Sequence, residues 1–222
     1  MTNKIQSAIN PKVSTPTTLK TTPSPTPEPT PIILPESVLI EVPYTVQAPY
    51  NNWDIHEESC EESAAIMIHY FLEGQIYFNG STVIPVATAN HEMIMMKNWQ
   101  VQNYGREPDL TIEMFGKFLK DYYGYNYRTS EATTFNIKKE LSAGNPVMVP
   151  VITHGLENPY YGPNPSYHIL VIKGYKPGGI ISNDAGVGVG ESYFYTWDIL
   201  FAAIDRQTPQ LGQGRVMIVV WK

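Results

Sequence analysis

Apolar positions fall along the chain in blocks whose spacing changes from helical to strand-like and back. Val38, Leu39, Ile40 and Val42 predict a strand. From Cys60 onward, Ala64, Ala65, Ile66, Met67, Ile68, Tyr70, Phe71 and Leu72 leave almost no polar face, which predicts a buried helix with Gly74 as its C-cap. The run Ser59-Cys60-Glu61-Glu62 fits a capping box, with Ser59 as N-cap and Cys60 as the first helical residue. Ile76 to Val86 alternates about Asn79-Gly80 and predicts a hairpin. His91 to Tyr104 and Leu110 to Tyr123, each ended by a glycine, read as helices, and Phe135 to Ala143 as a shorter one. Pro146 to Ile152 reads as a buried strand whose prolines point to an edge or a strand end. Tyr167 to Tyr175, the turn Lys176 to Gly179 and Ile180 to Asp184 predict an antiparallel hairpin. Trp197 to Phe201 and a terminal strand, Val216 to Trp221, close the domain.

The first 35 residues break this pattern. They contain Pro11, Pro16, Pro23, Pro25, Pro27, Pro29, Pro31 and Pro35, interleaved with Thr and Ser and almost no large apolar residues. Such a segment cannot bury enough surface to offset its ordering entropy, so residues 1–35 are expected to be a disordered tether and residues 36–222 a single domain. Pro/Thr-rich tethers commonly hold a domain away from a cell envelope, which favours an extracellular or cell-surface location over a cytoplasmic one. No positively charged and then apolar leader follows Met1. The formal charge of −6 argues against a general nucleic-acid or acidic-membrane surface, and no apolar run approaches the ~20 residues of a membrane span. A single cysteine excludes an intramolecular disulfide, and with no HExxH or paired-cysteine spacing a metal site is not expected.

The chemistry centres on that cysteine. A thiol at a helix N-terminus lies beside unpaired backbone N–H groups and the positive end of the helix dipole, which favour the thiolate. Upstream, Gln47 sits between Pro43 and Pro49, where its amide is available as a donor. His168 opens one strand of the second hairpin and Asp184 closes the other, so both fall at the same end, as an imidazole and its orienting carboxylate require. Asn183 competes for the orienting role, because alternation alone leaves the register open.

The string Val42-Pro43-Tyr44, Gln47, Pro49 and Trp53, followed by a cysteine that opens a helix, resembles the bacteriocin-leader-processing peptidase-like branch of the papain-like cysteine peptidases. His168-Ile169-Leu170-Val171-Ile172-Lys173-Gly174, the turn and Asp184 are similar to the second half of that family's site. The usual Cys-Gly-Pro-Ala-Ser start is altered, with Glu61 and Glu62 in place of the Gly and Pro, and Ala185 stands where a proline is usual. The resemblance implies an α+β papain-like fold, with the cysteine helix packed on an antiparallel sheet. It also implies a secreted bacterial thiol hydrolase acting on a peptide or protein without a cofactor. Its site would be Cys60, His168 and Asp184, with Gln47 as oxyanion donor. An amidase of cell-wall peptides, an acyl transferase, or a peptide-binding descendant without activity are the alternatives.

The other histidines carry less. His69 is expected to pack within the cysteine helix, His91 to sit in a helix's first turn, His56 in a loop, and His154 in the long loop Thr153 to Tyr167 beside the cleft. Glycines 186, 188 and 190, with no helix after them, read as a turn beside the carboxylate rather than a phosphate loop. Glu57, Glu58, Glu61 and Glu62 flank Cys60 and are expected to form an exposed acidic rim favouring basic peptides.

Overall fold

The computed structural model describes Met1 and residues 33–106, 109–211 and 213–222, without the side chains of residues 209 and 210. The chain divides into Met1–Ile33 and Leu34–Lys222, and the helices and strands of the described residues belong to the second unit. The tether reading falls on residues that lie, from 2 to 32, outside the described ones.

In chain order the elements are β1 (Val38–Leu39), α1 (Trp53–His56), α2 (Cys60–Glu73), α3 (Val86–Tyr104), α4 (Ile112–Tyr123), β2 (Asn126–Glu131) and α5 (Thr134–Ser142). There follow β3 (Val147–Ile152), a 3-10 turn (Thr153–Leu156), β4 (Tyr167–Lys176), β5 (Gly179–Asn183), β6 (Tyr193–Thr196), α6 (Trp197–Leu211) and β7 (Val216–Trp221). The strands form one sheet in the order β2-β7-β3-β4-β5-β6, with β1 paired to β4, and every pairing is antiparallel.

The sheet is buried on both faces, which explains why β3 and β4 read as unbroken apolar runs. Met148, Ile169, Val171, Ile218 and Val220 join the α2, α3 and α4 side chains in one core. Their neighbours Val147, Val149, Leu170, Ile172, Met217 and Val219 pack with α5 and α6 in a second. This is the period-two alternation of a strand applied to a three-layer molecule. In α2, Ile66 and Met67 are fully buried, each stabilising the fold by about 1.5–3 kcal/mol.

Several elements differ from the sequence pattern. Asn79 and Gly80 do make a tight turn with positive φ of 52° and 85°, and Phe78 and Ser81 exchange backbone hydrogen bonds of 2.7 and 3.0 Å. The flanks go elsewhere. Thr82 and Ile84 bond to Tyr44 instead, and α3 starts at Val86 rather than His91, directly after Pro85, which puts His91 past the first turn. The capping box is not formed: Ser59 takes the N-cap position, but its hydroxyl meets His56 Nδ1 at 3.0 Å, and Glu62 receives the Gln100 amide. Strand β3 is interior, not an edge. Its register with β7 is at Met148 and Ile218, so Pro150 lies past that pairing, where the strand is edge-like on that side. Strands β2 and β6 lie at the two ends of the sheet, and the polar sequence of β2 suits an edge.

Candidate active site

One end of the sheet and the start of α2 enclose a cavity of about 520 Å³, whose lining includes Gln47, Trp53, Cys60, Tyr161, His168 and Gly186. The topology accounts for this meeting. Cys60 is carried by the first residue of α2, His168 by the second residue of β4, and Asp184 by the residue after β5, the strand hydrogen-bonded to β4. Successive strand residues face opposite ways, so Tyr167 enters the α2-side core and donates to Leu110 O at 2.6 Å, while His168 turns to Asp184.

His168 Nε2 lies 3.0 Å from Asp184 Oδ1, and both side chains are almost completely buried. Asp184, not Asn183, meets the imidazole. The Asn183 amide donates to the carbonyls of Val42 and Pro43 at 3.1 and 3.0 Å, and its oxygen accepts Ser192 N–H. Asp184 is heavily solvated by protein. Tyr161 Oη donates to Oδ1 and Tyr195 Oη to Oδ2, each at 2.5 Å, and Gly186 N–H donates to Oδ1 at 3.1 Å. Asn158 Nδ2 in turn donates to Tyr195 at 2.6 Å. Burial pushes the Asp184 carboxyl up, but the hydrogen bond and charge of His168 and the two phenols outweigh it, and the carboxyl is held below its usual range.

Glycine is required in the loop behind this carboxylate. A Cβ on Gly190 would sit 1.8 Å from Asp184 O, and one on Gly186 would sit 2.4 Å from Tyr161 Oη. Only bare backbone lets the chain fold back onto Asp184 while Tyr161 reaches it. The turn anticipated at 186–190 is therefore the seat of the carboxylate, closed by Asp184 N–H to Gly190 O at 2.9 Å.

The thiol side is different from its sequence expectation. Cys60 is 3% exposed, and its thiol donates to Glu61 Oε2 at 2.8 Å. Burial, and then the charges of Glu61, Glu62 and Asp109, push the thiol well above its ordinary pKa, so desolvation and like charge override the helix N-terminus. Glu61 and Glu62 are each 1% exposed, which removes them from any solvent rim. Glu61 Oε1 accepts Leu110 N–H at 2.7 Å, and burial pushes the Glu61 carboxyl up to about 8.

Gln47 lines the cavity, but its amide nitrogen donates to the carbonyls of His56 and Glu57 at 3.0 and 2.7 Å. In this state it fastens the turn between α1 and α2, while its own N–H bonds Ala185 O at 2.8 Å. His56 ends α1 and is fully buried between Ser59 and Asn90 rather than in an open loop. His69 packs, stacked on Tyr123 with Nδ1 2.8 Å from Tyr125 Oη. His154 is exposed in the 3-10 turn, and its neighbour Thr153, not His154, contributes to the cavity wall. Tyr161, Tyr195 and Asn158 were not marked by the sequence pattern, since tyrosines are common here and only the fold brings these to Asp184.

With this geometry in place, comparison with known proteins is decisive. The model of the Peptidase_C39 like family matches residues 39–201, most of the domain. The chain belongs to that family. It is a cysteine peptidase with a papain-like α+β fold. A Bacillus anthracis protein described as a C39-like peptidase superposes with a TM-score of 0.52 at 13% identity, covering 85% of this chain and 98% of that one. Xylellain, a cysteine protease from Xylella fastidiosa, covers 86% and is covered over 87%, at 13% identity and a TM-score of 0.34. No curated protein matches the chain. Among the described residues of this C39-like peptidase, no cluster of three or more His, Cys, Asp or Glu side chains is placed to hold a metal ion, and no helix is long and apolar enough to cross a membrane.

Proposed function

We propose that the protein hydrolyses peptide bonds through Cys60, His168 and Asp184. The observation that carries this reading is the buried His168–Asp184 pair, whose imidazole lines the same cavity as Cys60. With Nε2 held by Asp184, the remaining ring nitrogen, Nδ1, is the one that takes the thiol proton. The thiolate attacks the peptide carbonyl carbon, forming the S–C bond and moving the C=O electron pair onto oxygen. Collapse expels the amine, which leaves with the His168 proton, and water activated by His168 then hydrolyses the thioester. Asp184 keeps the imidazole oriented.

The oxyanion would be met by the Cys60 backbone N–H, which as a first-turn group has no intrahelical partner, and by Gln47. A developing oxyanion is a stronger acceptor than a main-chain carbonyl, so one N–H of the Gln47 amide turns from the His56 or Glu57 carbonyl and donates its hydrogen bond to the oxyanion instead. The cavity suits a peptide or protein segment. Amide bonds of cell-wall peptides, or acyl transfer to an amine, would use the same chemistry and are separated by turnover of the respective substrates.

Alkylation tests the nucleophile. At neutral pH iodoacetamide should modify Cys60 at least about tenfold faster in the wild type than in His168→Ala, because only the wild type can place the thiol proton on an imidazole. Equal rates in two folded proteins would remove Cys60 and His168 as partners.

A further inference from the structure

The Cys60 thiol has a neighbour that the peptidase mechanism does not use. Glu61 Oε2 accepts the thiol hydrogen at 2.8 Å, and its other oxygen is pinned by Leu110 N–H at 2.7 Å. Leu110 is itself fixed, because Tyr167 Oη donates to its carbonyl at 2.6 Å. Three parts of the fold thus hold one carboxyl against the reacting sulfur: the start of α2, the segment entering α4, and β4. The carboxyl is 1% exposed.

We propose that Glu61 is a further catalytic residue, a neutral acid that hydrogen-bonds the Cys60 thiolate in the working enzyme and, once ionised, holds the thiol in a protonated, unreactive form. The inference rests on Cys60 being the nucleophile. In the neutral form the thiol proton passes to His168 Nδ1, and the Glu61 O–H donates to the resulting thiolate. Glu61 keeps its proton through attack and collapse, so the bookkeeping of the acylation step is unchanged: the leaving amine takes its proton from His168. In the ionised form Glu61 accepts the thiol hydrogen and sets a second negative charge beside any thiolate, which opposes the ion pair with His168.

The surroundings favour the neutral form near neutral pH. Burial pushes the Glu61 carboxyl up to about 8, with Asp109 acting in the same direction, while the hydrogen bonds from Cys60 and Leu110 act against it. Glu62 and Asp109 also bear on the thiol, as like charges from its own helix and from the segment before α4. Tyr167 from β4 and Tyr161 from the loop over the cavity face the pair as neutral phenols, each pushed up mainly by burial. His168, and behind it Asp184, face the site from β4 and the end of β5.

The test is the rate of Cys60 alkylation by iodoacetamide across the pH range, in the wild type, Glu61→Gln and His168→Ala. Glutamine is isosteric, keeps an oxygen for Leu110 N–H and presents a permanent donor to sulfur. The ratio of Glu61→Gln to wild-type rates should be near one at about pH 6 and rise to about tenfold or more at about pH 9, where the wild-type carboxyl is ionised. A ratio that does not change with pH, or wild-type alkylation that outpaces the variant at high pH, overturns the assignment. Should the glutamine variant fail to fold, carbon-13 titration of the wild-type glutamate carboxyls decides instead: one carboxyl, identified by its coupling to the Leu110 amide, must remain protonated at neutral pH. A Glu61 midpoint in the ordinary carboxylate range overturns the assignment equally. His168→Ala separates the two readings, since loss of its effect on alkylation fails the nucleophile, whereas a flat glutamine ratio with the His168 effect intact fails only Glu61.

Discussion

Asp184 and Glu61 are the carboxyls that back two residues of the cavity wall, His168 and Cys60; they are 0% and 1% exposed, yet their pKa values move in opposite directions. Burial raises both. On the Asp184 side, an imidazole, two phenols and a backbone N–H converge on the two oxygens, and their donation to the charged form exceeds the desolvation cost. On the Glu61 side the partners are one backbone N–H and a thiol, a weak donor, with acidic neighbours nearby, and burial prevails. Burial alone therefore does not fix a carboxyl's charge. The count and strength of donors facing it does, and here it leaves an anion behind His168 and a titrating acid beside the Cys60 thiol.

The largest effect is expected where that difference is removed at the anionic side. Asp184→Ala should lower kcat/KM by roughly 10²- to 10⁴-fold, through loss of imidazole orientation and charge. Asn183→Ala should act mainly on stability, because it leaves the Val42 and Pro43 carbonyls without their buried donor, at about 1–3 kcal/mol. Activity assays and denaturant melts on both variants check this, and an Asn183 variant that loses more activity than the Asp184 variant would reverse the roles.

A second, smaller effect belongs to stability and pH, and the two carboxyls should give opposite signs. Asp184 is depressed in the fold, so its contribution is present above its unfolded pKa of about 3.9 and is lost as pH falls through the lower folded value. Glu61 is raised, so its contribution is full below its unfolded pKa of about 4.3 and drains away as pH climbs to the folded value, beyond which it is flat. Between about pH 5 and pH 9 the wild type should therefore lose roughly 1–5 kcal/mol relative to Glu61→Gln. Melting temperatures of both proteins at the two pH values measure it. A Tm difference that stays constant between them would show that Glu61 titrates as an ordinary surface carboxyl.

These contrasts also mark what the sequence could and could not convey. The Cys60 helix, the His168 hairpin and the Gly-rich turn were legible because each is local, set by periodicity, a glycine or a turn pair. Asp184 over Asn183 was legible only through the family resemblance and not from alternation, since register decides it and register is a property of the pairing with β4. The burial of the thiol was not legible for a related reason. Helix position predicts a stabilised thiolate, whereas burial and the inward turn of Glu61 are tertiary facts. Strands β2 and β6 escaped because end strands need little apolar alternation, and the tyrosines on Asp184 because nothing in their local sequence distinguishes them from the others.

The smallest effect concerns the carboxylates that do face solvent. Of the four glutamates around Cys60, Glu61 and Glu62 are internal, which leaves Glu57 and Glu58, joined by Asp109, as exposed acids along the cavity. An exposed charge near a bound lysine is worth about 0.3–1 kcal/mol, so the preference for a basic peptide should be only about two- to fivefold for such a contact. It should also be lost when salt shortens the screening length to about 3 Å at 1 M. The measurement compares paired peptides with Lys or Gln beside the scissile bond, cleaved by the wild type and by a Glu57→Gln, Asp109→Asn double variant at low and high salt. The Lys peptide should lead only for the wild type at low salt. A lead that survives both the substitutions and the salt would mean that basic side chains are selected deeper in the cavity, by the aromatic wall of Tyr160, Tyr161 and Trp53, whose faces can attract a cation without any carboxylate.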